Sequence, residues 1–519
     1  MSIAEPPPLK TQPSKTQNPL GTAKGLNSGA LGLIGNTVIG LSSVAPAYSL
    51  AATLGYVVLA VGDKAPSMFL VAFIPMLLTA FAYRELNRDT PDCGTSFTWG
   101  TKAFGPWIGW MAGWGLAVSA IIVLANTAEI AAIYLFEVLG LHAAAESLAA
   151  KVLLGCFFIA AMTYVSFRGI LISERLQNVL IAVQFTVLIG VSVIALSKVF
   201  GGTAGPQAVT PRLDWIIPTG VSMSSAAQAI ILCIFIYWGW DACLAVGEET
   251  KDSERTPGRA AVLTTVILVA TYVLVGYAVQ SFAGFGDTGI GLNNPENVDD
   301  VLTTLGGPVA GPVAASLLLL TVSISALSST QTTILPTARG TLAMAIYKAV
   351  PGQFARVHPV FKTPSFSTLV MGITAGVFYI VLKLLSEDAL FDSIASLGLA
   401  VAFYYAVTAL ACVVYFWRSI FRSARNFFLR GLFPVLGFLG MLWAFGISAR
   451  DMLDPDYGYT SFGGIGGVFV IGVGMLALGV PLMVACAAKM SLRPFFRGES
   501  LNRETPVLVP DFEPPHGGL

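Results

Sequence analysis

The sequence predicts an all-α integral membrane protein of 12 transmembrane helices, arranged as a five-plus-five inverted repeat in which helices 1 and 6 are broken. Three observations predict it. The 519 residues are 55% hydrophobic and only 11% charged, with a formal net charge of zero, whereas charged residues make up about a quarter of a typical soluble domain. Apolar runs of about 20 residues, the length that crosses a bilayer, recur along most of the chain. Two of them, the first and the sixth, are interrupted midway by residues that break helices.

The first run, 31–61, carries no charge. Within Gly40-Leu-Ser-Ser-Val-Ala-Pro-Ala-Tyr-Ser49, Ser42, Ser43 and Pro46 weaken the helix, and proline suits the first position of a new one. Two half-helices are therefore expected to meet near Leu41–Ala45; the plainer alternative is a proline kink patched by serine hydroxyls. In a membrane such a break frees backbone groups that lipid cannot satisfy, so it persists only against protein or a water-filled cavity. Runs two to five follow near 66–83, 104–135, 151–168 and 175–198. The sixth, 221–248, contains Tyr237-Trp-Gly-Trp-Asp-Ala242. A glycine, aromatic residues and a carboxylate inside a span mark a functional site by default. Six further runs lie near 259–283, 308–338, 366–385, 391–417, 430–449 and 464–488. Paired interruptions in two halves point to a secondary transporter with its binding site at the repeat interface.

Orientation follows from the basic residues. Alternate sides of the twelve spans carry 23 and 6 of the 29 Lys and Arg residues, which predicts that both termini are cytoplasmic and the chain sits in the cytoplasmic membrane. Residues 1–25 and 491–519 read as disordered cytoplasmic tails. Between them, 26–490 forms one domain: repeat one over about 29–198, repeat two over about 221–417, and two extra spans over 430–488.

Other chemistry finds little support. A nucleic-acid partner is not expected at zero net charge. The six cysteines lie singly, with no metal-ligand or redox spacing, and read as small hydrophobes; no metal or cofactor is expected. The three histidines fall in predicted loops or the tail. A membrane-embedded enzyme would need clustered His, Asp, Glu or Cys at the membrane face, so the chain is not expected to be an enzyme. Gly284-Phe-Gly-Asp-Thr-Gly289 matches the dinucleotide fingerprint formally, but no strand precedes it and the loop 284–307 falls outside. Gly109-Trp-Met-Ala-Gly113 reads as close helix packing.

Several stretches resemble one family. Glu85-Leu-Asn-Arg-Asp-Thr-Pro-Asp-Cys-Gly-Thr-Ser-Phe-Thr-Trp99 and Phe104-Gly-Pro-Trp-Ile-Gly-Trp-Met-Ala-Gly-Trp114 are similar to the amino acid–polyamine–organocation (APC) permeases, whose pattern there is E-L-x4-P-x-x-G-x-x-Y/F-x-Y/W followed by F-G-P-x2-G-F/W-x2-G-W. Gly247-Glu-Glu-Thr-Lys-Asp-Ser-Glu-Arg-Thr-Pro-Gly-Arg259 is a looser match to E-E-T-K-x-P-x-R-x-x-P, and Gly169–Asn178 resembles the family's entrance to span 5. The resemblance covers roughly residues 25–490. It implies the five-plus-five fold and an amino acid or amine bound between the broken helices, the carboxylate at exposed N–H groups and the ammonium at freed carbonyls.

Carried over by position, the family's G-S/T-G turn falls on Leu41-Ser42-Ser43, although this chain has no glycine in the turn itself and only Gly40 before it. The resemblance thus assigns the carboxylate to the N–H groups of Leu41, Ser42, Ser43 and Val44, and the ammonium to the carbonyls of Ile39, Phe235 and Trp238, with Phe235 as aromatic lid and Gly239 at the turn. Tyr237 and Trp240 would pack or touch the ligand. Asp241, at the family's acidic position, would bind a cationic group, titrate, or accept hydrogen bonds from freed N–H groups. For ion coupling to H+ or Na+, Gln184 occupies the position where some members place a Lys. Ser325, Ser328 and Ser329 have the i, i+3, i+4 spacing to face one site, with helix packing as the simpler role. Glu129 is expected to reach water near the outer end of span 3. The function implied is an amino acid permease working by alternating access in the lipid bilayer; the alternatives are a polyamine or organic amine carrier, an exchanger, or a sensor on the same fold.

Overall fold

Residues 24–508, apart from residue 299 and residues 386–388, are described by a computed structural model. Nearly all of the expected N-terminal tail and residues 509–519 lie outside the described residues.

The chain is a helical body. It opens with α1 (Leu33–Val44), α2 (Pro46–Val61), α3 (Ala65–Asp89), α4 (Ser96–Phe104), α5 (Pro106–Val138), the short α6 (His142–Glu146), α7 (Leu148–Phe167) and α8 (Ile170–Phe200). It continues with α9 (Met223–Tyr237), α10 (Ala242–Ala245), α11 (Thr256–Ala283), α12 (Val301–Ala310), α13 (Pro312–Ile346), α14 (Ser365–Leu385) and α15 (Ala389–Phe416). The last are α16 (Ala424–Asn426), α17 (Phe433–Asp451), α18 (Gly467–Ala488) and α19 (Arg493–Phe496). Between α17 and α18 a two-residue antiparallel pair, β1 (Ser461–Phe462) and β2 (Ile465–Gly466), aligns Ser461 with Gly466.

Among the described residues, eleven helical stretches are long and apolar enough to cross a membrane. The first, Leu33–Asp89, runs for 57 residues and contains α1, α2 and α3. Most of the observed helices start and stop within a few residues of the expected runs, but α3 runs on to Asp89 and α13 to Ile346, six and eight residues past the expected ends at 83 and 338. The central stretch Met223–Ala245 is 94% buried over its most apolar window, whereas Leu148–Phe167 is only 22% buried. α9 and α10 therefore lie inside the bundle, and α7 presents most of its apolar surface outward, as a lipid-facing helix does.

Small residues set the closest approaches. A Cβ on Gly109 would lie 2.5 Å from the Thr101 backbone nitrogen, and one on Gly113 would lie 3.0 Å from Phe97 Cβ. The Gly109–Gly113 pair thus brings α5 against α4, the packing role read from the sequence.

Three expectations need correction. Residues 96–104, read as a connection, form α4: Phe97 and Trp99 are buried, and their burial stabilises the helix. The loop 284–307 ends in α12, which is separated from α13 by Gly311 at φ +82°. Finally, residues 491–508 are not a free tail. Phe495 and Leu501 are fully buried, Phe495 packs on Phe97 at 5.4 Å, and Lys102 Nζ donates to the Thr505 carbonyl at 2.6 Å. Apolar residues among the prolines of this segment supply the anchors.

Candidate functional site at two facing helix breaks

The first break is one residue long. α1 ends at Val44, Ala45 turns left-handed (φ 53°, ψ 66°), and α2 starts at Pro46. Proline disfavours helical geometry in the residue before it and has no N–H to lose at a helix start, so the interruption falls at Ala45. The break thus falls inside the expected Leu41–Ala45 stretch, at its last residue, and what changes is the register of the N–H groups assigned from the resemblance. Leu41, Ser42, Ser43 and Val44 form the last turn of α1, where N–H groups point back along the helix, and Ile39 lies further inside it. Donors aimed out of the break belong instead to the first turn of α2, at Ala47 and Tyr48.

α13 satisfies part of the opened backbone. Ser329 Oγ donates to the Ser43 carbonyl at 2.8 Å, and the Tyr48 N–H donates to Ser325 Oγ at 3.3 Å. Ser328 turns elsewhere: its hydroxyl donates to Gln177 Oε1 on α8. The three serines therefore do not share one site, because i+3 rotates away from the i, i+4 stripe just far enough to meet a different neighbour. Gln184 is fully buried on α8, and its side-chain amide has no protein partner.

The second break spans Trp238–Asp241. α9 ends at Tyr237, Trp238 is extended (φ −66°, ψ 142°), Gly239 sits at φ +115°, and α10 begins at Ala242. A Cβ on Gly239 would lie 2.8 Å from the Ser43 carbonyl carbon and 2.9 Å from Ser43 Oγ. Glycine is thus required twice over, by its φ and by the approach of the other break. Gly40 has the matching role one turn before Val44, where a Cβ would sit 2.5 Å from Cys243 Sγ.

Aromatic side chains close around this junction. Phe235 meets Tyr48 edge-on at 5.9 Å, spanning the two breaks. Its carbonyl accepts from the Trp238 N–H at 3.0 Å. Trp238 Nε1 donates to Tyr404 OH at 2.5 Å. Asp241 accepts one hydrogen bond on each oxygen, from Tyr404 OH and Tyr405 OH, both at 3.0 Å. Of the roles foreseen for Asp241, acceptor is the one seen, but its donors are α15 hydroxyls. Trp240 packs between Tyr83 (5.0 Å) and Tyr405 (5.1 Å), and Tyr237 OH donates to the Phe69 carbonyl at 3.0 Å, so both brace the wall. Ser42 Oγ, Tyr48 OH and Trp240 Nε1 are buried with no protein partner. Buried polar atoms are nearly always paired, so three open polar atoms at one junction are unusual.

Glu129 does not reach water. It is 4% exposed and forms an ion pair with Lys383 of α14 at 2.9 Å. A second buried charge network ties Lys24 to the α3–α4 and α10–α11 connections. Lys24 Nζ lies 2.6 Å from Asp92 and 2.5 Å from Glu248, with both partners' side chains almost wholly buried. Asp92 also accepts from Tyr347 OH at 2.8 Å and Thr98 Oγ1 at 2.7 Å, and Glu248 accepts from the Cys93 N–H at 2.8 Å. Beside them Arg339 pairs with Glu249. Asp92, Cys93 and Glu248 lie close enough together to hold a metal ion, but the Lys24 ammonium occupies their midst, 3.7 Å from Cys93 Sγ. Burial opposes the Lys24 charge, yet Asp92 and Glu248 more than offset it and raise its pKa well above the ordinary value of 10.5. Burial likewise pushes the Cys93 thiol up.

Tyr404, Tyr405, Lys383 and Lys24 escaped the sequence reading. The two adjacent tyrosines in an apolar run were a usable signal, since buried hydroxyls need partners. Lys24 offered none, sitting in a stretch that reads as tail.

The model of a family described as "Amino acid permease" matches residues 29–484. The chain is similar to an uncharacterized transporter of Mycobacterium tuberculosis, 28% identical over 89% of this chain and 93% of that one. It is also similar to the low-affinity putrescine importer PlaP of Escherichia coli (strain K12), at 26% over 81% of this chain and 87% of the importer. Among solved structures, a mutant of the Eremococcus coleocola manganese transporter aligns with a TM-score of 0.55 at 15% identity, over 91% of this chain and 95% of that one, which shows a shared fold.

Proposed function

The chain belongs to the amino acid permease family of the APC superfamily, a membrane transporter of amino acid or amine type, and from that premise we propose that it moves a neutral amino acid by alternating access around the two helix breaks. In this reading α1 with α2 and α9 with α10 are the first and sixth of twelve spans in a five-plus-five inverted repeat. Both termini are cytoplasmic and the protein sits in the cytoplasmic membrane. The solute carboxylate binds the Ala47 N–H at the start of α2 and the N–H groups beside Gly239, with the Tyr48 N–H joining them when it leaves Ser325. Its ammonium binds carbonyls at the ends of α1 and α9, where the helix dipoles favour positive charge. Ser42 Oγ and Tyr48 OH complete the polar contacts.

The observation that carries this reading is the approach of Gly239 to Ser43, which joins two sets of opened backbone groups at one point. A neutral side chain is favoured because Asp241 and Glu129, both buried in the helical body, are already engaged, Asp241 by two tyrosines and Glu129 by Lys383. A second ammonium on the solute would find both of these acids already paired. The putrescine importer among the relatives supports the second reading, an amine carrier.

Uptake into proteoliposomes tests both, with labelled neutral amino acids and putrescine offered under proton and sodium gradients imposed separately. Neutral amino acids are expected to accumulate, and the gradient that drives them identifies the coupling ion. Movement of putrescine alone would replace the first reading by the second. No movement of any solute would sink both.

A further inference from the structure

At the end of α3 and the start of α11, four arginines surround a cleft. Arg84, Arg88, Arg255 and Arg259 line a cavity of about 260 Å³, and Glu254 is the one acid in its lining. Arg84 and Arg88 on α3, and Arg255 at the cap of α11 with Arg259 in its first turn, are each i, i+4 pairs of like charge, a spacing that is repulsive on its own. The two pairs are held face to face by the local packing. A Cβ on Gly258 would lie 2.8 Å from Arg84 Cγ, so glycine lets the helices close there. Asn87 Nδ2 donates to the Ser253 carbonyl at 2.8 Å and pins the segment that leads into α11.

Among the described residues none of these four arginines forms an ion pair. On α3, Glu85 is taken by Arg425 and by Arg430, the latter at 2.9 Å, and Asp89 accepts from Tyr415 OH at 2.7 Å. The N-terminus of α11, a helix of 28 residues beginning at Thr256-Pro257, adds a positive dipole end at the same place. Arginine forks match phosphate oxygens two at a time, and helix starts bind the same group. The cleft lies at the level of helix ends, where lipid phosphates sit.

We infer that this cleft binds a phosphate-bearing anion, held by Arg84, Arg88, Arg255 and Arg259. The charge is that of a lipid headgroup or of a soluble phosphate, and both present the same oxygens to the same forks. The inference is independent of the transported solute.

The test uses the purified full chain in a non-ionic detergent. Native mass spectrometry measures binding of phosphatidylglycerol against phosphatidylcholine. A thermal-shift titration compares inorganic phosphate with chloride at matched ionic strength. R255Q/R259Q removes two exposed charges, R255K/R259K keeps the charge without the forks, and R418Q removes an exposed arginine elsewhere. Elution as a single folded species is required of each variant. Wild type and R418Q are expected to bind alike, R255Q/R259Q about thirtyfold more weakly, and the lysine variant in between. A response to phosphatidylglycerol alone identifies a headgroup, and a response to inorganic phosphate identifies a soluble anion. Equal binding by wild type, R255Q/R259Q and R418Q, for both probes, would overturn the assignment.

Discussion

Replacing Lys24 by methionine is expected to open the basic face of the protein. The substitution keeps the apolar stem and removes an ammonium whose side chain is fully buried between two carboxylates. Asp92 would still hold the Gly94 N–H at 2.8 Å, Thr98 Oγ1 and Tyr347 OH. Glu248 would keep only the Cys93 N–H, and its Oε2 has no protein partner. The cost therefore falls mainly on Glu248. Removing one side of a buried ion pair costs about 3–5 kcal/mol, so the ratio of closed to open forms should fall by roughly two to three and a half decades. Cys93 is a native reporter, since it is fully buried beside Lys24 with its thiol pKa pushed up. Maleimide labelling of Cys93, read by mass spectrometry so that the other cysteines are separated, should accelerate strongly in K24M. In K24M/E248Q, which also removes the stranded charge, protection should largely return. Labelling of K24M at the wild-type rate would refute the idea that this network holds the face shut.

Three further outcomes follow from the geometry. The melting temperature gap between wild type and K24M should close at high pH: the Lys24 pKa is raised, so its contribution is complete below 10.5 and is lost as pH rises through the higher folded value. Asp92 acts in the opposite sense, with Lys24 outweighing burial to lower its pKa, so its contribution is present above 3.8 and fades as pH falls through the depressed value. A G239A variant combines a disfavoured backbone, about 1–3 kcal/mol, with a Cβ 2.8 Å from Ser43, and should lose uptake and thermal stability; wild-type behaviour would show that the breaks need not touch. K383M should cost about 3–5 kcal/mol by stranding Glu129, and K383M/E129Q should recover most of it; melting curves decide, and additive losses would contradict a coupled pair.

The spans were legible because hydropathy alone separates lipid-compatible runs from charged connections, and Pro46 and Gly239 marked both interruptions. The first break lies at the last residue of the expected Leu41–Ala45 stretch, which displaces the N–H groups assigned there from the resemblance. Proline acts on the residue before it, so α1 continues through Ser43 and Val44, where the serines suggested an earlier end. The family pattern placed Asp241 correctly in the second break but was silent on its partners, Tyr404 and Tyr405, which arrive from a distant helix. Glu129 looked solvated because its ammonium, Lys383, stands at the far end of another run that reads as an outside boundary. Pairings across such separations leave no local trace in composition or periodicity, and Lys24 is the extreme case.

The two α13 hydroxyls at the first break have a mechanical consequence. Ser329 grips the last turn of α1 and Ser325 the first turn of α2, so one rod is pinned to both leaves of a hinge. Swinging one leaf against the other must first unfasten a pin. The Tyr48 amide bond, at 3.3 Å against 2.8 Å for the Ser329 bond, is the longer tie and the first that such a swing would strain.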